Sequence, residues 1–122
     1  MIGYVTLGTN DFSRATSFYD DLFADFGGKR IFDMETFVAW STDPRAPAFA
    51  VTKPFDGNAA TVGNGVMAAL LASSREQVDA IYNKAISLGA TCEGKPGPRG
   101  EGFYAGYFRD LDGNKLNAFF MG

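Results

Sequence analysis

The sequence predicts an α+β fold: two βαβββ modules in a single domain spanning residues 1–122. Three observations predict it. Two amphipathic helical patterns each follow a short apolar strand and precede three further strand-like segments. A Gly/Asn-rich stretch from Phe55 to Gly65 separates them and is the only segment with the composition of a boundary. Shifting the second half by 63 residues lays Ala15, Phe18, Tyr19 and Leu22 over Val78, Ile81, Tyr82 and Ala85, and Tyr4 over Met67. That is an internal repeat. Module one covers about residues 1–53, the linker 54–65 and module two 66–122.

Ile2 to Gly8 is β-branched and apolar and stops at Gly8-Thr-Asn10, which reads as a strand. From Asp11 to Phe26 the apolar residues Phe12, Ala15, Phe18, Tyr19, Leu22, Phe23 and Phe26 recur at spacings of three and four. Thr9 or Asn10 is expected to cap this helix and Gly27-Gly28 to end it. Phe12, Phe18, Phe26 and Phe32 are expected in the core, and Asp20, Asp21 and Asp25 on a solvated helix face. Strands follow over 29–34, 37–41 and 48–53. After the linker the grammar restarts. Val66–Ala72 is a strand and Ser74–Leu88 a helix, with overlapping capping boxes at Ser73/Glu76 and Ser74/Gln77 and a stop at Gly89. A short strand over 91–93, a loop over 95–102, a strand over 104–109, a turn at Asp112-Gly113 and a strand over 115–120 complete the chain.

Composition removes whole classes of chemistry. The chain has no histidine and one cysteine, Cys92, which excludes imidazole triads, imidazole metal ligands and an internal disulfide. With 14 acidic against 11 basic residues the net charge is −3 and the pI about 4.8, and no basic run exists to neutralise phosphates, so nucleic acid is not an expected partner. The longest clean apolar run, Val66 to Ala72, is far short of a membrane span, and the amino terminus lacks the pattern of a signal peptide. A cytoplasmic location is expected. Asp110-Leu-Asp-Gly-Asn114 lacks the later acidic ligand of a calcium loop and reads as a turn.

The doubled unit resembles the vicinal oxygen chelate superfamily, which includes glyoxalase I, bleomycin-resistance proteins and extradiol dioxygenases. The opening run from Ile2 to Tyr19, with Arg14-Ala-Thr-Ser-Phe-Tyr19, is similar to the family's first strand and helix. Ser74-Arg-Glu-Gln-Val-Asp-Ala80 resembles its second helix start. Phe108-Arg-Asp-Leu-Asp-Gly-Asn-Lys115 resembles its final hairpin, with Leu111 where proline is usual. The resemblance implies two half-barrel modules forming a cup, and commonly a homodimer. It also implies metal ligands at places that fall here on Tyr4, Met67, Asn117 and, within a residue, Ala50. None of the four matches the family's histidine or glutamate. No metal and no other cofactor is expected.

Strand alternation extends the candidate site. If Tyr4 points into the cup, Thr6 does too, while Met67 goes with Ala69 and Leu71, Asn117 with Phe119, Ala50 with Ala48 and Thr52, and Tyr107 with Arg109. Trp40 is added because a buried indole N–H needs a partner. The expected ligand-binding set is Tyr4, Thr6, Trp40, Ala50, Met67, Tyr107, Asn117 and Phe119, an apolar surface with a phenol and an amide as orienting groups. Arg99 lies in the loop that the resemblance puts near the mouth. It is read as solvated, with contact to an anionic ligand as the other reading. The function expected is metal-free binding of a small organic molecule. Two alternatives stand beside it: a lactoylglutathione-lyase-like or dioxygenase-like enzyme with a non-standard site, and a structural or partner-binding homodimer.

Overall fold

A computed structural model describes residues 1–122, which divide into two units at Val62/Gly63. In the first unit, β1 (Tyr4–Gly8) leads into α1 (Phe12–Ala24), followed by β2 (Lys29–Asp33), β3 (Phe37–Ser41) and β4 (Ala48–Thr52). The sheet order is β1-β4-β3-β2, with β1 parallel to β4 and the other pairs antiparallel. In the second unit β5 (Ala68–Leu71), α2 (Arg75–Ser87), β6 (Thr91–Pro98), β7 (Phe103–Arg109) and β8 (Lys115–Met121) repeat the plan. Its sheet order is β5-β8-β7-β6, again with one parallel pair, β5 with β8. The fold class is as the sequence predicts.

Each helix is built the same way. Asp11 caps α1 by accepting the Arg14 N–H at 3.1 Å, and Ser74 caps α2 by accepting the Gln77 N–H at 3.1 Å. At the other end the N–H of Gly28 reaches the Phe23 carbonyl and that of Ala90 the Ala85 carbonyl, with Gly27 and Gly89 in the left-handed region at φ +85° and +104°. Both are Schellman stops. The expected caps of α1 have other work. The Thr9 hydroxyl bonds the Asp11 backbone, while the Asn10 amide clasps the backbone of Ala60 in both directions.

Alternation along the strands sorts each sheet into two faces. In the first unit Leu7, Val38, Trp40, Phe49 and Val51 are buried on the side that α1 covers with Ala15, Phe18, Tyr19, Leu22 and Phe23. Tyr19 lies 4.6 Å from Phe49 and 5.7 Å from Trp40 between ring centroids, so the core is an aromatic cluster. In the second unit Val78, Ile81, Tyr82 and Ala85 of α2 are buried together with Phe108, Leu116 and Ala118 of the sheet. Gly106 allows that approach: a Cβ there would stand 2.9 Å from Pro96 Cγ and 3.3 Å from Tyr82 Cδ2.

Three local expectations are corrected. The loop expected from Lys95 is strand as far as Pro98, because β6 is an outer strand. There, two register shifts around Gly94 absorb the irregularity, and proline is tolerated where no neighbour needs its missing N–H. Phe32 is exposed rather than core, since β2 is also an outer strand and its register slips between Arg30 and Phe32. Asp20 is not a free solvated carboxylate: Arg30 engages both of its oxygens, at 2.9 and 2.7 Å.

Candidate functional site

The side of the first sheet turned away from α1 carries Tyr4, Thr6, Ala48, Ala50, Thr52, Phe37 and Ala39, as the β1–β4 and β3–β4 registers dictate. Tyr4 stands on this face edge-on to Phe37 at 6.0 Å and is 62% exposed. Tyr4, Thr6 and Ala50 thus share one sheet face, on which Ala50 is itself fully buried. Trp40 does not join them. It lies on the opposite face, buried in the aromatic core, and its indole N–H donates to Asp20 Oδ1 at 2.8 Å. The partner that a buried indole requires is therefore a helix carboxylate, not a ligand. Arg30, first of all, and then the indole hold the Asp20 carboxyl below its ordinary value of 3.8, against an opposing effect of burial.

The side of the second sheet turned away from α2 brings Tyr107, Asn117 and Phe119 together. Tyr107 is the cross-strand partner of Asn117, Ala105 that of Phe119, and Ala69 and Leu71 flank them from β5. Phe119 stacks on Phe103 at 5.6 Å with 17° between the rings. Asn117 is only 2% exposed, and its Oδ1 has no hydrogen-bond partner. A buried amide oxygen left unpaired is unusual in a folded protein. Met67 precedes β5 and is exposed.

Two cations sit against Tyr107, one of which, Lys115, the sequence reading did not include. The Arg99 guanidinium lies 5.5 Å from the ring centroid and the Lys115 ammonium 5.6 Å from it. Arg99 donates to the Lys95 carbonyl at 2.7 Å, a backbone contact that leaves its charge unneutralised, and Lys115 has no carboxylate partner. Arg109, on the same face, is neutralised by Glu93 at 2.6 Å. Lys115 could have been found in the sequence, because it stands two residues from Asn117 on the same strand.

A cleft of about 380 Å³ in the first unit is bounded by Thr9, Phe12, Thr36, Lys53 and Pro54, and includes none of the candidate residues. No group of three or more His, Cys, Asp or Glu residues comes together that could hold a metal ion. The carboxylate of Asp110 is committed to its turn, accepting the N–H groups of Asp112 and Asn114 and the Asn114 side-chain amide. At the four places that the resemblance assigns to metal ligands the donors are a phenol, a thioether, a neutral amide and none at all. That donor set does not fit a hard divalent ion. What the two helix-remote faces offer chemically is apolar surface, a few orienting dipoles and two cations.

The chain belongs to the Glyoxalase/Bleomycin resistance protein/Dioxygenase superfamily, whose model matches residues 1–118. A glyoxalase/bleomycin resistance protein from Albidiferax ferrireducens T118 is similar at 36% identity, with 98% of this chain and 97% of that one covered and a TM-score of 0.88. A glyoxalase/bleomycin resistance protein/dioxygenase family enzyme from Burkholderia phytofirmans PsJN shares the fold at 18% identity, with 96% and 95% covered and a TM-score of 0.75. The lactoylglutathione lyase of Agrobacterium tumefaciens shares it at 19% identity, with 98% and 92% covered and a TM-score of 0.72. Among proteins of curated function, none matches this chain. No helix is long and apolar enough to cross a membrane.

Proposed function

We propose that this superfamily member has lost the usual metal ligands and binds a small organic molecule, without metal, on the helix-remote faces of its sheets. The observation that carries the reading is the sorting of side chains between faces. Large residues fill the helix side, whereas the remote side bears Ala39, Ala48, Ala50, Ala69 and Ala105 among a few aromatics and polar groups. Small apolar walls with sparse orienting dipoles are what a small-molecule site requires. The donor set at Tyr4, Ala50, Met67 and Asn117 supports metal-free binding for the reason given above. The lyase alternative draws on the name of a relative at 19% identity and on no residue of this chain.

The protein acts in the cytoplasm and as a homodimer in this reading. Support for the dimer comes from β1 and β5, each at the edge of its sheet with apolar side chains exposed: Tyr4, Val5 and Leu71. An edge strand with apolar neighbours is a surface that natural proteins cover.

The test is a thermal-shift screen against metabolites and antibiotics, coupled to elemental analysis of protein purified from medium containing iron, zinc, nickel and manganese. The expected result is a ligand-dependent rise in Tm with sub-stoichiometric metal. A full equivalent of bound metal would overturn the metal-free reading, and a screen without a single stabilising compound would overturn the binding function.

A further inference from the structure

We propose that the helix-remote face of the second unit binds an organic anion that also carries a hydroxyl or N–H donor, its charge held by Arg99 and Lys115 beside Tyr107 and its donor by Asn117 Oδ1. This rests on the small-molecule reading above and names the chemical class of the ligand.

Three observations converge on one patch of β7 and β8. First, two cations lie against the Tyr107 ring, at 5.5 and 5.6 Å, and neither meets a carboxylate. In a chain with net charge −3, whose Arg30 and Arg109 both find acidic partners, two unneutralised cations at one phenol are a local reversal of sign. An anionic group is the ligand feature that completes them. Second, Asn117 is the cross-strand partner of Tyr107 and buries an amide oxygen with nothing donating to it. An acceptor paired with no donor inside the protein is satisfied by a donor on a ligand. Third, Phe119 stacked on Phe103, with Ala69 alongside, supplies a flat apolar wall next to both polar features.

The spacing limits the ligand. Lys115 and Asn117 stand two residues apart on one strand, which separates their origins by about 7 Å. A bare inorganic anion reaches the cations but not the amide. A rigid organic anion with its donor at the far end reaches both.

The experiment is an NMR titration of the 122-residue chain at low salt and pH 7. Its probes are 4-hydroxybenzoate, benzoate (charge without the distal donor) and 4-hydroxybenzyl alcohol (donor without charge). Shifts are expected along residues 103–121, with 4-hydroxybenzoate binding about ten-fold tighter than either of the others. Arg99→Gln and Lys115→Gln should each erase most of the advantage that charge confers. Asn117→Leu should erase the advantage of the hydroxyl, making 4-hydroxybenzoate and benzoate equal. Arg14→Gln, on α1, removes the same unit of charge and should change nothing. Retained dispersion in each variant's spectrum shows that it is folded. Equal binding of all three probes, indifferent to the variants, would overturn the anion inference and leave small-molecule binding standing. The inference also falls if no probe binds at millimolar concentration while a compound from the thermal-shift screen does. If neither probes nor screen compounds bind, both readings fall together.

Discussion

Asp20 does two jobs with two oxygens: it pairs with Arg30 across both, and one of them also accepts the indole N–H of Trp40. The two jobs separate by mutation. Asp20→Ala strands a buried indole donor and should cost about 1–3 kcal/mol in denaturant melts. Asp20→Asn keeps an acceptor for the indole and loses only a partly exposed ion pair, so it should cost less than about 1 kcal/mol. The pH dependence follows from the lowered carboxyl of Asp20. The unfolded chain takes up that proton more readily than the folded one, so the charge contributes fully above the ordinary value of 3.8 and is lost as pH falls through the lowered one. Between about pH 5 and pH 3 the Tm of the wild type should therefore fall more steeply than that of Asp20→Asn. Asn117 behaves oppositely. Its unpaired Oδ1 is a burden on the free protein, so Asn117→Leu should be neutral or stabilising by up to about 2 kcal/mol in unfolding experiments without ligand.

Helix boundaries were legible to within a residue or two, because caps and stops are local chemistry. Ser74 caps α2 and Gly89 stops it as their types and spacing imply, whereas the Gln77 side chain accepts from the Ser73 N–H one residue further back and the Ser73/Glu76 box does not form. Replacing Ser74 by Ala should cost about 1 kcal/mol and lower the Tm measurably, since it removes the side-chain acceptor of the Gln77 N–H. The strands were less legible where glycine and proline crowd. Around Gly94 to Pro98 the turn signals are real, yet pairing with β7 overrides them and converts the segment into an irregular outer strand. Gly106 makes the same point from the core. Its sequence context does not announce that Tyr82 and Pro96 lie against its α-carbon. Gly106→Ala should destabilise the protein by about 1–3 kcal/mol, as seen by the midpoint of chemical unfolding.

At the scale of the whole molecule, two units of like topology each present an edge strand with exposed apolar side chains. If a second copy of the chain covers that surface, as proposed, a charge introduced there should weaken the association. Leu71 is 74% exposed at the outer strand β5, so Leu71→Lys should leave the chain folded but shift its mass in light scattering toward the monomer. A wild type that is already monomeric at high concentration would remove the dimer from the reading.

Periodicity alone determined the repeat, the two helix faces and the in-or-out alternation of the regular strands, because those properties depend on residues two to four apart. It also determined, through the missing histidine, which chemistry is excluded. Only the tertiary structure decided which side of a sheet a helix covers and which residues oppose one another across strands. Trp40 went to the core because α1 lies on its face and offers Asp20, twenty positions earlier in the chain. Arg99, Tyr107 and Lys115 became a group because β8 pairs with β7 and the shifted pairing of β6 with β7 ends just before Arg99. Register is a long-range property, set by the burial of whole faces, and no local pattern in this chain encodes it.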